Sequence, residues 1–134
     1  MADAFVDTSF VVALVNKKDQ HHSVATDFAE RLDGPALVTT DAILLEIGNA
    51  LSRNFKQQSV EIIEHFLASS DVKIVHLHPL LFRKAFELYK SHSDKLWGLI
   101  DCVSFVVMRE LFIVEALTFD KHFEQAGFNI LVSG

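Results

Sequence analysis

The 134-residue sequence predicts an α/β fold, a parallel sheet with helices on both faces. Two observations predict it. Short apolar runs alternate along the chain with longer stretches in which apolar residues recur at helical spacing. Half of the residues are hydrophobic, with five glycines and two prolines, so the chain carries a real core and shows no linker. Residues 1–134 therefore read as one domain, without internal repeats or low-complexity tracts.

The elements follow in order. Ala4-Phe5-Val6 reads as a buried first strand that ends in Asp7. Ser9 is placed to cap a helix over Phe10–Asn16. A helix over His21–Leu32 carries Val24, Phe28 and Leu32 at four-residue spacing, and Gly34-Pro35 breaks the chain. Ala36–Thr39 reads as the second strand. Thr40 or Asp41 caps a helix over Ala42–Phe55, with Ile43, Leu44, Ile47, Ala50 and Leu51 as its apolar stripe. Ser59–Ser69 is a helix with Ile62, Ile63, Phe66 and Leu67 inward, and Lys73–Leu77 is the third strand. Pro79 opens a helix to about His92. Leu99–Leu111 is apolar nearly all round and reads as a buried helix. Val114–Thr118 is the fourth strand, Lys121–Ala126 a short helix stopped by Gly127, and Asn129–Val132 the last strand.

The bulk numbers bound the function. The net charge of −6 excludes a protein that coats nucleic acid through a general basic surface. It leaves room for an enzyme that handles nucleic acid locally, because a metal site concentrates acid and the bound cation restores positive charge. One cysteine, Cys102, forms no internal disulfide and points to a reducing compartment. The N-terminus has no signal-peptide pattern, and the run Phe10–Val15 is too short to span a bilayer, so a soluble, cytoplasmic protein is expected.

Four acids stand where a plain core would not put them. Asp7 ends the first strand and Asp120 follows the fourth by two residues, so both open onto the carboxyl edge of the sheet. Asp101 lies among Leu99, Ile100, Cys102 and Val103, where burying an unpaired charge is expensive unless a cation or a basic side chain relieves it. Ser104 follows on the same face as a supporting residue. Glu46 borders its helix's apolar stripe, with Asn49 and Arg53 along the same row. Three of the acids alone have a plain reading: a strand end for Asp7, an N-cap for Asp120, a solvated helix row for Glu46 with Arg53; Asp101 alone favours function, because its burial needs compensation. The four together are harder to dismiss. Ser9 is placed to hold Asp7 or a water.

The ordered set Asp7-Thr8-Ser9, Glu46-x-x-Asn49-x-Leu51-x-Arg53, Trp97-x-x-x-Asp101-Cys102 and Thr118-Phe119-Asp120-Lys121-His122-Phe123 with Gly127 resembles the PIN domain, and is similar to the small VapC-type ribonucleases of toxin–antitoxin pairs. The resemblance covers nearly the whole chain. It implies a three-layer α/β/α sandwich with a mostly parallel central sheet. It implies Mg²⁺ or Mn²⁺ held by Asp7, Glu46, Asp101 and Asp120, and endonucleolytic cleavage of RNA with a metal-activated water. A homodimer and a small antitoxin protein are the implied partners. The chain departs from similar sequences between Asp94 and Asp101, where Leu96, Gly98 and Ile100 stand in places that often hold a further acid and small hydroxyl residues. The departure bears on substrate choice, a second metal and the level of activity.

Arg53 and Lys56 are the basic residues placed near RNA. Trp97 suits either base stacking or packing on the helix of Asp101. His76 and His78 read as alternating along one strand, without the partners a structural zinc needs. His122 is open to a substrate contact or a surface role. Two rival functions remain: a phosphatase forming an aspartyl-phosphate, which wants a second Asp where Ser9 stands, and a catalytically weak PIN fold that serves as an RNA- or protein-binding module.

Overall fold

A computed structural model describes residues 3–132. Five strands form one sheet in the order β3-β2-β1-β4-β5, and every pairing is parallel. The strands are β1 (Ala4–Val6), β2 (Leu37–Thr40), β3 (Val72–Val75), β4 (Glu115–Leu117) and β5 (Asn129–Ile130). Seven helices accompany them among the described residues: α1 (Thr8–Val15), α2 (His22–Arg31), α3 (Asp41–Leu51), α4 (Lys56–Ala68), α5 (Pro79–Ser91), α6 (Leu99–Glu110) and α7 (His122–Gln125). The α/β/α expectation holds. β1 lies in the middle of the sheet and is buried throughout, which requires helices over both faces.

The strand order fixes where a ligand can sit. From β1 the chain moves to one side, to β2 and β3, and later crosses back to β4 on the other side. The order therefore reverses between β1 and β4, whose registers pair Phe5 with Ala116 and Val6 with Leu117. At such a switch point the connections leave in opposite directions and open a crevice at the carboxyl ends of the strands. Asp7 and Thr118–Asp120 stand at this crevice.

An aromatic core carries the helices that border it. Phe105 of α6 packs edge-on against Phe123 of α7 at 5.0 Å and against Trp97 at 5.1 Å, and Phe123 reaches Phe5 of β1 at 6.2 Å. Edge-to-face rings bury large area with a defined geometry, so this cluster sets α6 and α7 against the central strand. Trp97 is thus a packing residue, with Nε1 donating to Gln125 Oε1 at 3.1 Å. Among the described residues no helix is long and apolar enough to cross a membrane.

Several boundaries differ from the sequence reading, each for a local reason. α1 begins at Thr8 with Asp7 as N-cap residue, and the Ser9 hydroxyl makes no cap bond because it is used in the crevice. Thr40 caps α3, accepting from Ile43 N–H at 3.1 Å, while Asp41 accepts from Leu77 N–H at 2.8 Å. α3 stops at Leu51, and Phe55 begins the next helix instead of ending this one. Ala50 and Leu67, expected inward, are exposed. β3 ends at Val75, so His76 and His78 do not share a strand face. His78 caps α5, accepting from Leu81 N–H at 3.3 Å, and His76 Nδ1 lies 3.1 Å from Asp41. Short polar side chains that find a backbone partner decide these ends, and periodicity does not register that competition.

Candidate active site

Asp7 follows the central strand directly, and its N–H still continues the ladder to Leu117 O at 3.1 Å. That pairing pulls the carboxylate under the sheet edge, where the residue is only 4% exposed. Two hydroxyls hold it. Thr118 Oγ1 donates to Asp7 Oδ2 at 2.7 Å and Ser9 Oγ donates to the same oxygen at 3.0 Å. Each hydroxyl accepts a backbone N–H in return, Ser9 from Phe119 and Thr118 from Asp120, both at 2.9 Å. A hydroxyl has one proton, so the 3.0 Å approach between Ser9 and Thr118 carries no third bond. The arrangement locks Asp7 to the loop after β4.

Burial pushes the Asp7 carboxyl up to about 6; the Thr118 and Ser9 hydroxyls pull it down, and the nearby Asp101 charge adds to the rise. Asp101, in the first turn of α6, is raised too, again chiefly by burial, with Gly98 N–H and His122 opposing and Asp120 adding. Its Oδ2 accepts from Gly98 N–H at 3.0 Å and from His122 Nδ1 at 3.0 Å. The same carboxylate therefore starts its own helix and faces the crevice.

Asp120 also does two things. Its Oδ1 accepts from His122 N–H at 2.9 Å, the cap-like turn that begins α7, and lies 3.3 Å from His122 Nδ1. Ligand atoms of Asp101, Asp120 and His122 lie within 4.8 Å of one another, close enough to share one cation. Glu46, half-buried on α3, accepts a hydrogen bond from Thr8 Oγ1. All four acids line one cleft of about 620 Å³.

This donor set fits a hard divalent cation. Carboxylate oxygens suit such ions, and burial raises two of the acids, Asp7 and Asp101, so a cation would favour their ionised forms. Among the described residues His122 is the one ion-pair partner that any of the four acids has. In each acid, one oxygen is anchored by the fold: Oδ2 of Asp7 and of Asp101, Oδ1 of Asp120, Oε1 of Glu46. The other oxygen of each has no side-chain donor among the described residues.

Other candidates lie elsewhere. Ser104 is fully buried and donates to Ile100 O at 3.2 Å, within its own helix, so it does not reach the Asp101 carboxylate. Asn49, Arg53 and Lys56 are exposed and none lines the cleft. Arg53 lies beyond the end of α3, which breaks the helical row from Glu46. Leu96, Gly98 and Ile100 do line the cleft, and Leu96 is 88% exposed. A Cβ on Gly98 would sit 3.9 Å from Asp101 Oδ2, an ordinary contact, so glycine here leaves space above the acid. Sequence reasoning missed Thr8, Thr118 and the carboxylate-bound role of His122. The signal lay in the spacing Thr118-x-Asp120-x-His122, which puts three polar groups on one tight turn.

Comparison with known proteins adds the lineage. The PIN domain family model matches residues 4–129. The 23S rRNA-specific endonuclease VapC20 of Mycobacterium tuberculosis, in two strains, is 32% identical over 127 residues, covering 92% of this chain and 94% of the relative. The crystal structure of M. tuberculosis VapC20, described as a Sarcin-Ricin loop cleaving toxin, superposes with a TM-score of 0.85 at 31% identity, covering 94% of this chain and 96% of that one. FitAcB from Neisseria gonorrhoeae gives 0.64 at 12% identity, covering 97% and 96%, a likeness of fold alone. The chain belongs to the PIN-domain family and is a VapC-type toxin endoribonuclease.

Proposed function

We propose that this ribonuclease cuts a structured loop of ribosomal RNA, using Mg²⁺ or Mn²⁺ held by Asp7, Glu46, Asp101 and Asp120. The observation that carries the metal reading is the buried Asp7 carboxylate, fixed at a sheet switch point by neutral hydroxyls and raised by its surroundings. The substrate class is supported by the 23S rRNA-specific relative that matches nearly the whole chain.

A bound divalent cation supplies the charge that acidifies a water and neutralises a phosphate. The chain's own residues do the positioning. Ser9 and Thr118 keep both hydroxyl protons on Asp7 Oδ2, so the carboxylate cannot rotate its free oxygen away. Gly98 and His122 do the same for Asp101, and Thr8 for Glu46. RNA brings one negative charge per phosphate to a cleft lined by carboxylates, so the backbone enters only once cationic charge is in place.

The same logic defines the restraining partner. A small antitoxin protein that blocks this cleft has to present a cationic side chain to the carboxylates. For the homodimer, the supporting feature is on α5: Phe82, Phe86 and Tyr89 are 46%, 41% and 45% exposed and stack in series at 6.4 Å. A single helix face with three exposed aromatic rings suits an isologous contact.

Four outcomes are expected. Asp101→Asn, purified beside wild type, cuts a labelled ribosomal stem–loop RNA more than about a hundredfold more slowly with Mn²⁺; equal rates remove the mechanism. At limiting Mn²⁺, cleavage falls as pH drops through about 6, because a proton on Asp7 displaces the cation. Thr118→Val removes a bond that favours the ionised carboxylate, so this acid limb moves to higher pH; a limb that stays put in the variant's pH–rate profile contradicts the assignment. Sedimentation equilibrium should give a dimer for wild type and a monomer for Phe86→Asp, and a wild-type monomer at micromolar concentration rejects the α5 contact.

A further inference from the structure

One wall of the cleft is aromatic. His21 lies flat on Phe119, with ring centroids 4.2 Å apart and planes within 3°. Phe119 in turn packs on Phe10 at 6.2 Å and 23°, and Phe10 is held edge-on by Phe28 at 6.4 Å. Phe10 is buried, whereas Phe119 and His21 are half-buried and both line the cleft beside the acids. Among the described residues no second ring covers the imidazole.

This stack is rigidly tied to the carboxylates. Phe119 stands between Thr118 and Asp120, and its N–H is donated to Ser9 Oγ, which donates to Asp7. His21 is fixed at the start of α2: its N–H is donated to Asp19 Oδ1 at 2.8 Å, and its carbonyl accepts from Ala25 N–H at 2.9 Å. A ring stacked on one face and lining a cleft that receives RNA offers a π surface that any nucleobase can match. Phosphate does not suit the place, because Asp19 lies beside it in the same lining.

We propose that His21, backed by Phe119 and Phe10, is the platform on which a nucleobase neighbouring the scissile phosphate stacks. The stacked base would set how the RNA backbone lies over Asp7, Asp101 and Asp120. The inference rests on the RNA-cleaving reading and adds a base-binding residue to it.

The test uses the intact protein and a stem–loop RNA carrying the sarcin–ricin loop sequence, with 2-aminopurine placed at each loop position in turn. Wild type quenches the fluorescence at one position. His21→Ala abolishes that quench and raises KM about tenfold with kcat changed much less, while His21→Phe keeps both near wild type. An abasic residue at the same loop position raises the wild-type KM by a similar factor, which needs no variant. A His21→Ala protein with wild-type quench and KM, or abasic RNAs cut as well as the intact one at every position, overturns the platform while cleavage stands. Failure of wild type to cut the RNA overturns the ribosomal-RNA reading and the platform with it.

Discussion

The Asp7 carboxylate, buried at the end of the central strand and anchored by two hydroxyls, is the interaction on which the rest of the site depends. Its position follows from the sheet: β1 runs between β2 and β4, and Asp7 N–H still bonds to Leu117. Its surroundings resist its charge. The buried acid costs metal-free stability, and under the proposed function a bound cation would reverse the sign of that contribution by stabilising the ionised form that burial penalises.

The other acids come to Asp7 by separate routes, and each route has a structural purpose of its own. Asp101 starts α6, Asp120 starts the turn into α7, and Glu46 is joined to α1 through Thr8. The aromatic cluster of Phe5, Phe105 and Phe123 sets α6 and α7 against the same strand. Asp101 and Asp120 thus serve helix starts and line the cleft with the same carboxylates. A cap role and a place in the cleft are not exclusive for Asp120, which accepts from His122 N–H through Oδ1 and lines the cleft.

The order of strands and helices was legible because it rests on apolar periodicity, and parallel strands covered on both sides show as short apolar runs. Asp101 was legible because a lone carboxylate on so apolar a helix has to be explained. What could not be read was pairing across long separations. Nothing local in the sequence says that Thr118 will donate to Asp7, 111 residues away, or that Thr8 will donate to Glu46. Ser9 was legible as a partner of Asp7 but not as a residue that forgoes its helix cap to be one. The reach of Arg53 was overestimated because α3 ends before it. In each case a tertiary hydrogen bond or an early helix end overrode a local propensity.

The most direct measurement is unfolding stability of Asp7→Asn against wild type at pH 8, in chelator and again with Mn²⁺. The Asp7 carboxyl is about 6 in the fold and 3.8 as its ordinary value, so the native state binds the extra proton and metal-free stability falls as pH rises between those values. Asparagine keeps an oxygen for both hydroxyls and removes the charge. The account predicts that the variant is more stable than wild type in chelator, by on the order of 1–3 kcal/mol, and that Mn²⁺ stabilises only wild type. A variant less stable than wild type in chelator, or equal stabilisation of both proteins by Mn²⁺, would contradict it.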